Sequence, residues 1–132
     1  MILVDSNILL DIFTNDQNWY DWSAKTLSKL AEKHKLVIND IIYSEISVRF
    51  KYIEELEQSL MNNFIVQSIP KEALFLAGKI FVQYKKAGGT KTSTLPDFFI
   101  GAHASILKIP LLTRDKKRYK TYFPNLEIIA PL

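Results

Sequence analysis

Four acidic residues from four separate segments of this chain could act together in one site. They are Asp5, Glu45, Asp97 and Asp115. A cluster of carboxylates in a chain without cysteine is an oxygen-only ligand set, which suits a hard divalent cation such as Mg²⁺ or Mn²⁺. Such a cation activates a bound water and stabilises charge on phosphate oxygens, so this set favours phosphoryl-transfer chemistry.

Each acid taken alone also has a structural interpretation. Asp5 could be only a turn residue at the end of a strand, and Asp97 only a favourable charge in the first turn of a helix. Glu45 and Asp115 could be solvated surface residues. A shared site is favoured because the four residues are expected near the carboxyl ends of strands, where open α/β sheets bind their ligands.

The segments between the acids predict a parallel sheet that would bring them together. Five short apolar runs, most of them without polar alternation, are typical of strands covered by helices on both faces. These predicted strands are 1–4, 36–38, 64–66, 110–112 and 126–129. Helices are predicted over 19–33, 41–62 with a possible break, 71–86 and 96–107, and Asp40 is placed to cap the second. We expect a single α/β domain over residues 1–132.

Composition excludes several other classes of protein and site. The 132 residues suit one globular domain, and 17 Lys and Arg against 14 Asp and Glu permit a polyanionic partner without demanding one. The absence of cysteine excludes disulfides, cysteine-ligated zinc and a thiol nucleophile. No GxSxG, HExxH, P-loop or GxGxxG motif occurs. His103, within an apolar helix, is interpreted as a structural residue and not as a ligand.

Neither the start of the chain nor its most apolar stretch predicts export or membrane insertion. The charged Asp5 follows Met1 after only three apolar residues, which leaves no room for a signal peptide. The stretch 98–112 is interrupted by His103, Lys108 and Pro110 and is too short to span a bilayer. We expect a cytoplasmic protein that makes no membrane contact.

The four acids lie in motifs that follow one another in a specific order. These motifs are VDSN at 4–7, SEI at 44–46, LPDFFIGAHA at 95–104 and LTRD at 112–115. In this order the chain resembles the PIN-domain nucleases, and within them the VapC-type toxins of bacterial toxin–antitoxin pairs. The resemblance implies a three-layer α/β/α sandwich around a parallel sheet. It also implies a Mg²⁺- or Mn²⁺-dependent endoribonuclease that hydrolyses RNA phosphodiester bonds with a metal-activated water.

The resemblance assigns roles to individual residues. The four acids fall on the family's catalytic, metal-binding quartet. Asn7 and Thr113 match supporting polar positions that hold the carboxylates by hydrogen bonds, and Ser6 is a weaker candidate of the same kind. Some members carry a further acid shortly after the last Asp, but here basic residues follow Asp115, so no fifth ligand is expected. Asp11 is left as a structural residue.

Basic residues border the predicted acidic pocket on two sides and are expected to bind RNA. They are Lys85, Lys86, Lys91, Arg114, Lys116, Lys117 and Arg118. With the four acids set aside, ten negative charges remain in the chain against 17 positive ones. A basic rim of this kind attracts a phosphate backbone without selecting sequence, although lysines are also common as merely solvated residues.

Apolar residues that point away from the expected core suggest protein partners. On their helices Trp22, Phe75 and Val82 lie off the main apolar arc. They could pack on another helix of the same domain, or they could form a homodimer contact and a groove for an antitoxin, as the resemblance implies. The alternative function is a PIN-like RNA-binding or assembly module with little or no turnover, for which an intact acidic quartet has no use.

Overall fold

The computed structural model describes residues 1–61 and 63–132, and in them seven helices flank a five-stranded sheet. The strands are β1 (Ile2–Val4), β2 (Leu36–Ile38), β3 (Phe64–Val66), β4 (Leu111–Leu112) and β5 (Ile128–Ile129). The helices are α1 (Ser6–Phe13), α2 (Tyr20–Ala31), α3 (Asp40–Ser47), α4 (Ile53–Leu60), α5 (Lys71–Lys86), α6 (Pro96–Leu107) and α7 (Lys116–Tyr122). None of the helices in the described part has the length and apolar composition needed to cross a bilayer.

The order of the strands creates a crevice beside β1. All strand pairs are parallel, and the order across the sheet is β3-β2-β1-β4-β5. The chain therefore adds β2 and β3 on one side of β1 and then crosses to the other side for β4 and β5, and a switch point of this kind is where open α/β sheets bind ligands. Val4 pairs with Leu112, so the next residues along these strands, Asp5 and Thr113, meet at this point.

The core lies on both faces of the three central strands, as their unbroken apolar sequences predict. β1, β2 and β4 are buried along their whole length. The edge strand β3 is different, because Ile65 and Val66 are exposed. The predicted α/β/α fold with a parallel sheet is confirmed.

Two helices were not predicted, and one predicted helix start was wrong. α1 continues directly from β1, so its apolar residues are hard to separate from the strand, and α7 is too rich in charge to show an apolar stripe. Asn39, and not Asp40, caps α3, because its side chain accepts a hydrogen bond from the Ile42 amide. The predicted break separates α3 from α4, and the predicted end at Asn62 lies outside the described residues.

A close contact fixes α7 against α6. A Cβ atom at Gly101 would overlap the ring of Phe123, which follows α7, so only glycine allows this approach. Nearby, the ring of Phe98 packs edge-on against Tyr84 and Tyr122, at centroid distances of 5.6 and 5.2 Å. These contacts join α5, α6 and the end of α7, and they hold α7 beside the first turn of α6.

Candidate functional site

Asp5 lies at the centre of a buried hydrogen-bond network at the switch point. Its Oδ1 accepts from the Ser6 amide at 2.7 Å, which caps α1. Its Oδ2 accepts from the Thr113 hydroxyl at 2.8 Å and from the Tyr119 hydroxyl at 3.0 Å. The residue is only 4% exposed, and burial raises the pKa of its carboxyl.

Tyr119 connects Asp5 to Asp97. Its hydroxyl oxygen lies 3.0 Å from Asp5 Oδ2 and 3.2 Å from Asp97 Oδ1, inside the protein and away from solvent. Burial, followed by the charges of Asp5 and Asp97, raises the pKa of this phenol well above its ordinary value. Tyr119 therefore stays protonated, and its single proton can be donated to only one of the two carboxylates at a time.

The sequence analysis gave Tyr119 no role, although one signal was available. Tyr119 lies four residues after Asp115, a spacing that places two residues on the same face of a helix. Using that signal requires knowing that α7 begins at Lys116, and α7 was not predicted.

Asp115 is joined to the network by Asn7. The Asn7 side-chain amide nitrogen lies 3.1 Å from Asp115 Oδ2 and 3.2 Å from the Thr113 hydroxyl. The Thr113 hydroxyl in turn accepts from the Asp115 amide at 3.1 Å. Asn7 and Thr113 thus form hydrogen bonds with the carboxylates directly.

Glu45 reaches the same network through Ser6. The Ser6 hydroxyl donates to Glu45 Oε1 at 2.9 Å, and it lies 3.5 Å from Asp5 Oδ1. Partial burial raises the pKa of Glu45, and the charges of Asp5 and Asp97 add to this effect. All four predicted acids are therefore linked, directly or through one side chain, around the ends of β1 and β4.

A second buried pair joins the helices that carry Glu45 and Asp97. The side-chain nitrogen of Asn39, the cap of α3, lies 3.0 Å from Nδ1 of His103 on α6. His103 is fully buried, and burial lowers its pKa. Within the described residues it forms no hydrogen bond with any of the four acids, and its Nε2 is buried without a hydrogen-bond partner.

Arg118 forms ion pairs with two of the acids. Its Nη1 lies 3.0 Å from Asp97 Oδ2 and 3.6 Å from Asp115 Oδ2. The charge of Asp97 raises the pKa of this guanidinium, and Asp115 contributes further. The residue was predicted to bind RNA, and in this structure it is paired with two of the four acids.

The donor set suits a divalent cation by its chemistry but does not surround one as the side chains stand. Within residues 1–61 and 63–132, no three carboxylates or imidazoles are close enough to hold one ion. Asp5 is buried, whereas the side chains of Asp97 and Asp115 are 23% and 41% exposed and reach solvent. An all-oxygen set of four carboxylates, one buried and three partly exposed, fits a hard cation by its chemistry.

The predicted RNA-binding residues fall into three groups. Lys116, Lys117 and Arg118 line an open pocket with Asp115 at the start of α7. Arg114 forms the second group by itself. It lines the same pocket, but its guanidinium donates hydrogen bonds to the Asp11 carboxylate, from Nε at 2.8 Å and from Nη2 at 3.0 Å.

Lys85, Lys86 and Lys91 form the third group, at the end of α5 and in the following loop. Lys85 donates to the Lys91 carbonyl, and the Tyr84 hydroxyl accepts from the Lys91 amide at 3.1 Å. No hydrogen bond or ion pair within the described residues connects this group to the four acids.

Comparison with known proteins identifies the family. A family model described as PIN domain matches residues 2–124. The chain belongs to the PIN domain family. The predicted family membership is confirmed, and no curated protein matches this PIN domain in a sequence search.

Solved structures with the same fold include components of toxin–antitoxin systems. VapBC2 of Rickettsia felis, bound to promoter DNA, has a chain that matches at 20% identity with a TM-score of 0.75, covering 100% of both chains. A toxin–antitoxin complex of Klebsiella pneumoniae matches at 22% identity and a TM-score of 0.71, covering 100% of this PIN domain and 98% of the other chain. VapC20 of Mycobacterium tuberculosis, described as a toxin that cleaves the sarcin–ricin loop, matches at 11% identity and a TM-score of 0.69, covering 99% and 100%.

Proposed function

We propose that this PIN domain is a metal-dependent endoribonuclease, the toxin of a toxin–antitoxin pair that acts on RNA in the cytoplasm. The observation that carries the proposal is the network that links Asp5, Glu45, Asp97 and Asp115 at the switch point of the sheet. Four carboxylates crowded together are unfavourable for stability, because like charges repel and Asp5 is buried. The protein keeps these four carboxylates together despite this cost, and a function that requires them explains why.

The roles that we propose follow from the contacts of each residue. Asp5, Glu45, Asp97 and Asp115 would hold Mg²⁺ or Mn²⁺. When bound, this cation supplies the acidity that activates water and the charge that stabilises the phosphate oxygens.

The remaining polar residues of the network have a positioning role in this proposal. Asn7, Thr113, Ser6 and Tyr119 fix the orientation of the carboxylates through hydrogen bonds. Their hydrogen bonds with oxygens of the proposed ligands support this assignment.

RNA would reach the acids across the basic residues beside them. Lys116 and Lys117 are exposed in the first turn of α7 and line the same pocket as Asp115. Lys85, Lys86, Lys91, Arg114 and Arg118 remain in the proposed RNA-binding set. Phosphate contacts of this kind provide affinity without sequence selection.

An antitoxin and a second copy of the chain are the proposed protein partners. The similarity to a chain of a toxin–antitoxin complex supports the first. Phe75 is 69% exposed and Val82 48% exposed on α5, so both are available to a partner. Trp22 packs partly against the core and is a weaker candidate than the sequence suggested.

The decisive experiment measures cleavage of RNA by the purified protein with Mg²⁺ or Mn²⁺, with EDTA and in the Asp97→Asn variant. We expect cleavage only in the wild type with metal, and products with 5′-phosphate and 3′-hydroxyl ends, because water is the attacking group. Products with 2′,3′-cyclic phosphates would contradict hydrolysis by water. Sequencing of RNA 5′ ends after brief expression would then identify the target.

One observation favours the alternative, an RNA-binding module with little turnover. Arg118 is paired with two of the four acids, and a permanent pair would leave them unable to bind metal. RNA binding without any cleavage at saturating Mn²⁺ would support that alternative.

A further inference from the structure

Arg118 is the basic residue of α7 that forms ion pairs with the acidic site within the described residues. Its Nη1 lies within 4 Å of carboxylate oxygens from both Asp97, on α6, and Asp115, the residue before α7. Within the described part of the chain, no other Lys or Arg forms an ion pair with any of the four acids. The cation in the acidic site is therefore supplied by one residue of the chain itself.

The electrostatics of the site explain why a cation is placed there. Four carboxylates within one network repel one another, and a nearby positive charge lowers the free energy of their ionised forms. The guanidinium contacts Asp97 Oδ2 and Asp115 Oδ2, which belong to two of the proposed metal ligands. A divalent cation bound to these carboxylates would occupy the space that the Arg118 guanidinium now fills. Its positive charge would take over the role of the guanidinium charge.

Exposure of the side chain makes this pairing reversible. The Arg118 side chain is 60% exposed, so it can leave the acids for solvent at a small cost. Arg114 contrasts with it, because its side chain is 26% exposed and its partner Asp11 only 3% exposed. The two arginines flank Asp115 and have different roles: Arg114 is fixed and Arg118 is movable.

We propose that Arg118 is an internal counter-ion of the acidic site, and that a divalent cation must displace its guanidinium from Asp97 and Asp115 in order to bind. This inference rests on the proposed metal-dependent function. Arg118 then competes with the metal, and it stabilises the metal-free protein.

The test compares Arg118→Gln with Lys117→Gln in the full chain. Both variants remove one positive charge from neighbouring positions of α7, but Lys117 is exposed and forms no ion pair with the acids in the described residues. Titration calorimetry with Mn²⁺ gives the metal affinity, and thermal unfolding in EDTA gives the stability of the metal-free protein. Neither measurement depends on RNA cleavage.

We expect Arg118→Gln to bind Mn²⁺ about fivefold more tightly than the wild type, the size of a partly exposed ion pair. Lys117→Gln should change the affinity by less than about twofold, because its charge is solvated. In EDTA the thermal midpoint of Arg118→Gln should fall below that of the wild type, and that of Lys117→Gln should not.

Two results would overturn the inference, each in a different way. If the wild type binds Mn²⁺ and cleaves RNA, and the two variants have the same Mn²⁺ affinity, the counter-ion role of Arg118 is wrong and the proposed function stands. If neither the wild type nor Arg118→Gln binds Mn²⁺, the proposed metal-dependent function is wrong. The proposed competition between Arg118 and the metal is then wrong as well.

Discussion

The guanidinium of Arg114 forms two hydrogen bonds with the carboxylate of Asp11, from Nε at 2.8 Å and from Nη2 at 3.0 Å. Asp11 also accepts from the Ser23 hydroxyl at 2.7 Å, and the guanidinium lies over the Trp19 ring at 5.1 Å. One ion pair thus ties the segment after β4 to α1 and α2. Asp115, the next residue, is positioned by this attachment.

We predict that Arg114→Ala destabilises the protein by about 2 kcal/mol, because Asp11 would keep a buried charge without its partner. Urea unfolding monitored by circular dichroism would measure this change. Lys116→Ala removes a nearby exposed charge and should stay within about 0.5 kcal/mol of the wild type. An unchanged free energy of unfolding in Arg114→Ala would show that the pair with Asp11 does not stabilise the fold, and would leave Arg114 only its proposed contact with RNA.

Tyr119→Phe removes the hydroxyl that contacts Asp5 and Asp97 and keeps the packing of the ring. We expect the affinity for Mn²⁺ and the rate of RNA cleavage each to fall about tenfold, as is usual when a hydrogen-bond partner of a metal ligand is lost. Tyr122→Phe is the matched control, because the Tyr122 hydroxyl makes no hydrogen bond with the described residues. If both variants bind Mn²⁺ as the wild type does, Tyr119 has no positioning role.

Glu45→Gln should stabilise the metal-free protein at neutral pH. Burial raises the pKa of Glu45, so between its ordinary pKa and this raised value the folded protein holds a proton that the unfolded chain releases. Stability in EDTA therefore falls as pH rises through this range, and the penalty persists above it. Glutamine can keep the hydrogen bond from Ser6 but carries no charge.

The expected rise in the thermal midpoint of Glu45→Gln in EDTA is about 2 °C at pH 7, with no rise at about pH 3, where the glutamate is protonated in both states. Scanning calorimetry at the two pH values would measure both midpoints. A rise of equal size at both would mean that packing, and not charge, causes the change.

Replacing Lys116 and Lys117 together by alanine should weaken binding to all RNAs alike. Loss of two phosphate contacts to single-stranded RNA should reduce the slope of log affinity against log salt by about 1.4. Fluorescence anisotropy in EDTA measures this slope without cleavage. The control replaces Lys25 and Lys29, which are exposed on α2, by alanine. A change of cleavage site in the Lys116 and Lys117 variant, with an unchanged salt slope, would refute the phosphate role.

The sheet and the grouping of the acids could be predicted because both depend on local sequence. Short apolar runs define the central strands, and acids just after two of them must share an edge of the sheet. The roles of Arg118 and Tyr119 could not be predicted, since both depend on α7, whose sequence KKRYKTY has no apolar periodicity. The pairing of Arg118 with Asp97 also joins residues 21 positions apart, a distance that only the fold determines.

Asp5 caps α1 with one carboxylate oxygen and accepts from Thr113 and Tyr119 with the other. The same carboxylate is thus a proposed ligand and part of the folding of the first helix. If the protein is toxic to the cell that makes it, survivors with a changed Asp5 should accumulate little protein, and survivors with a changed Glu45 should accumulate normal amounts. Under the proposed function, Glu45 is therefore the better position at which to make an inactive form that keeps its fold and its proposed antitoxin contact.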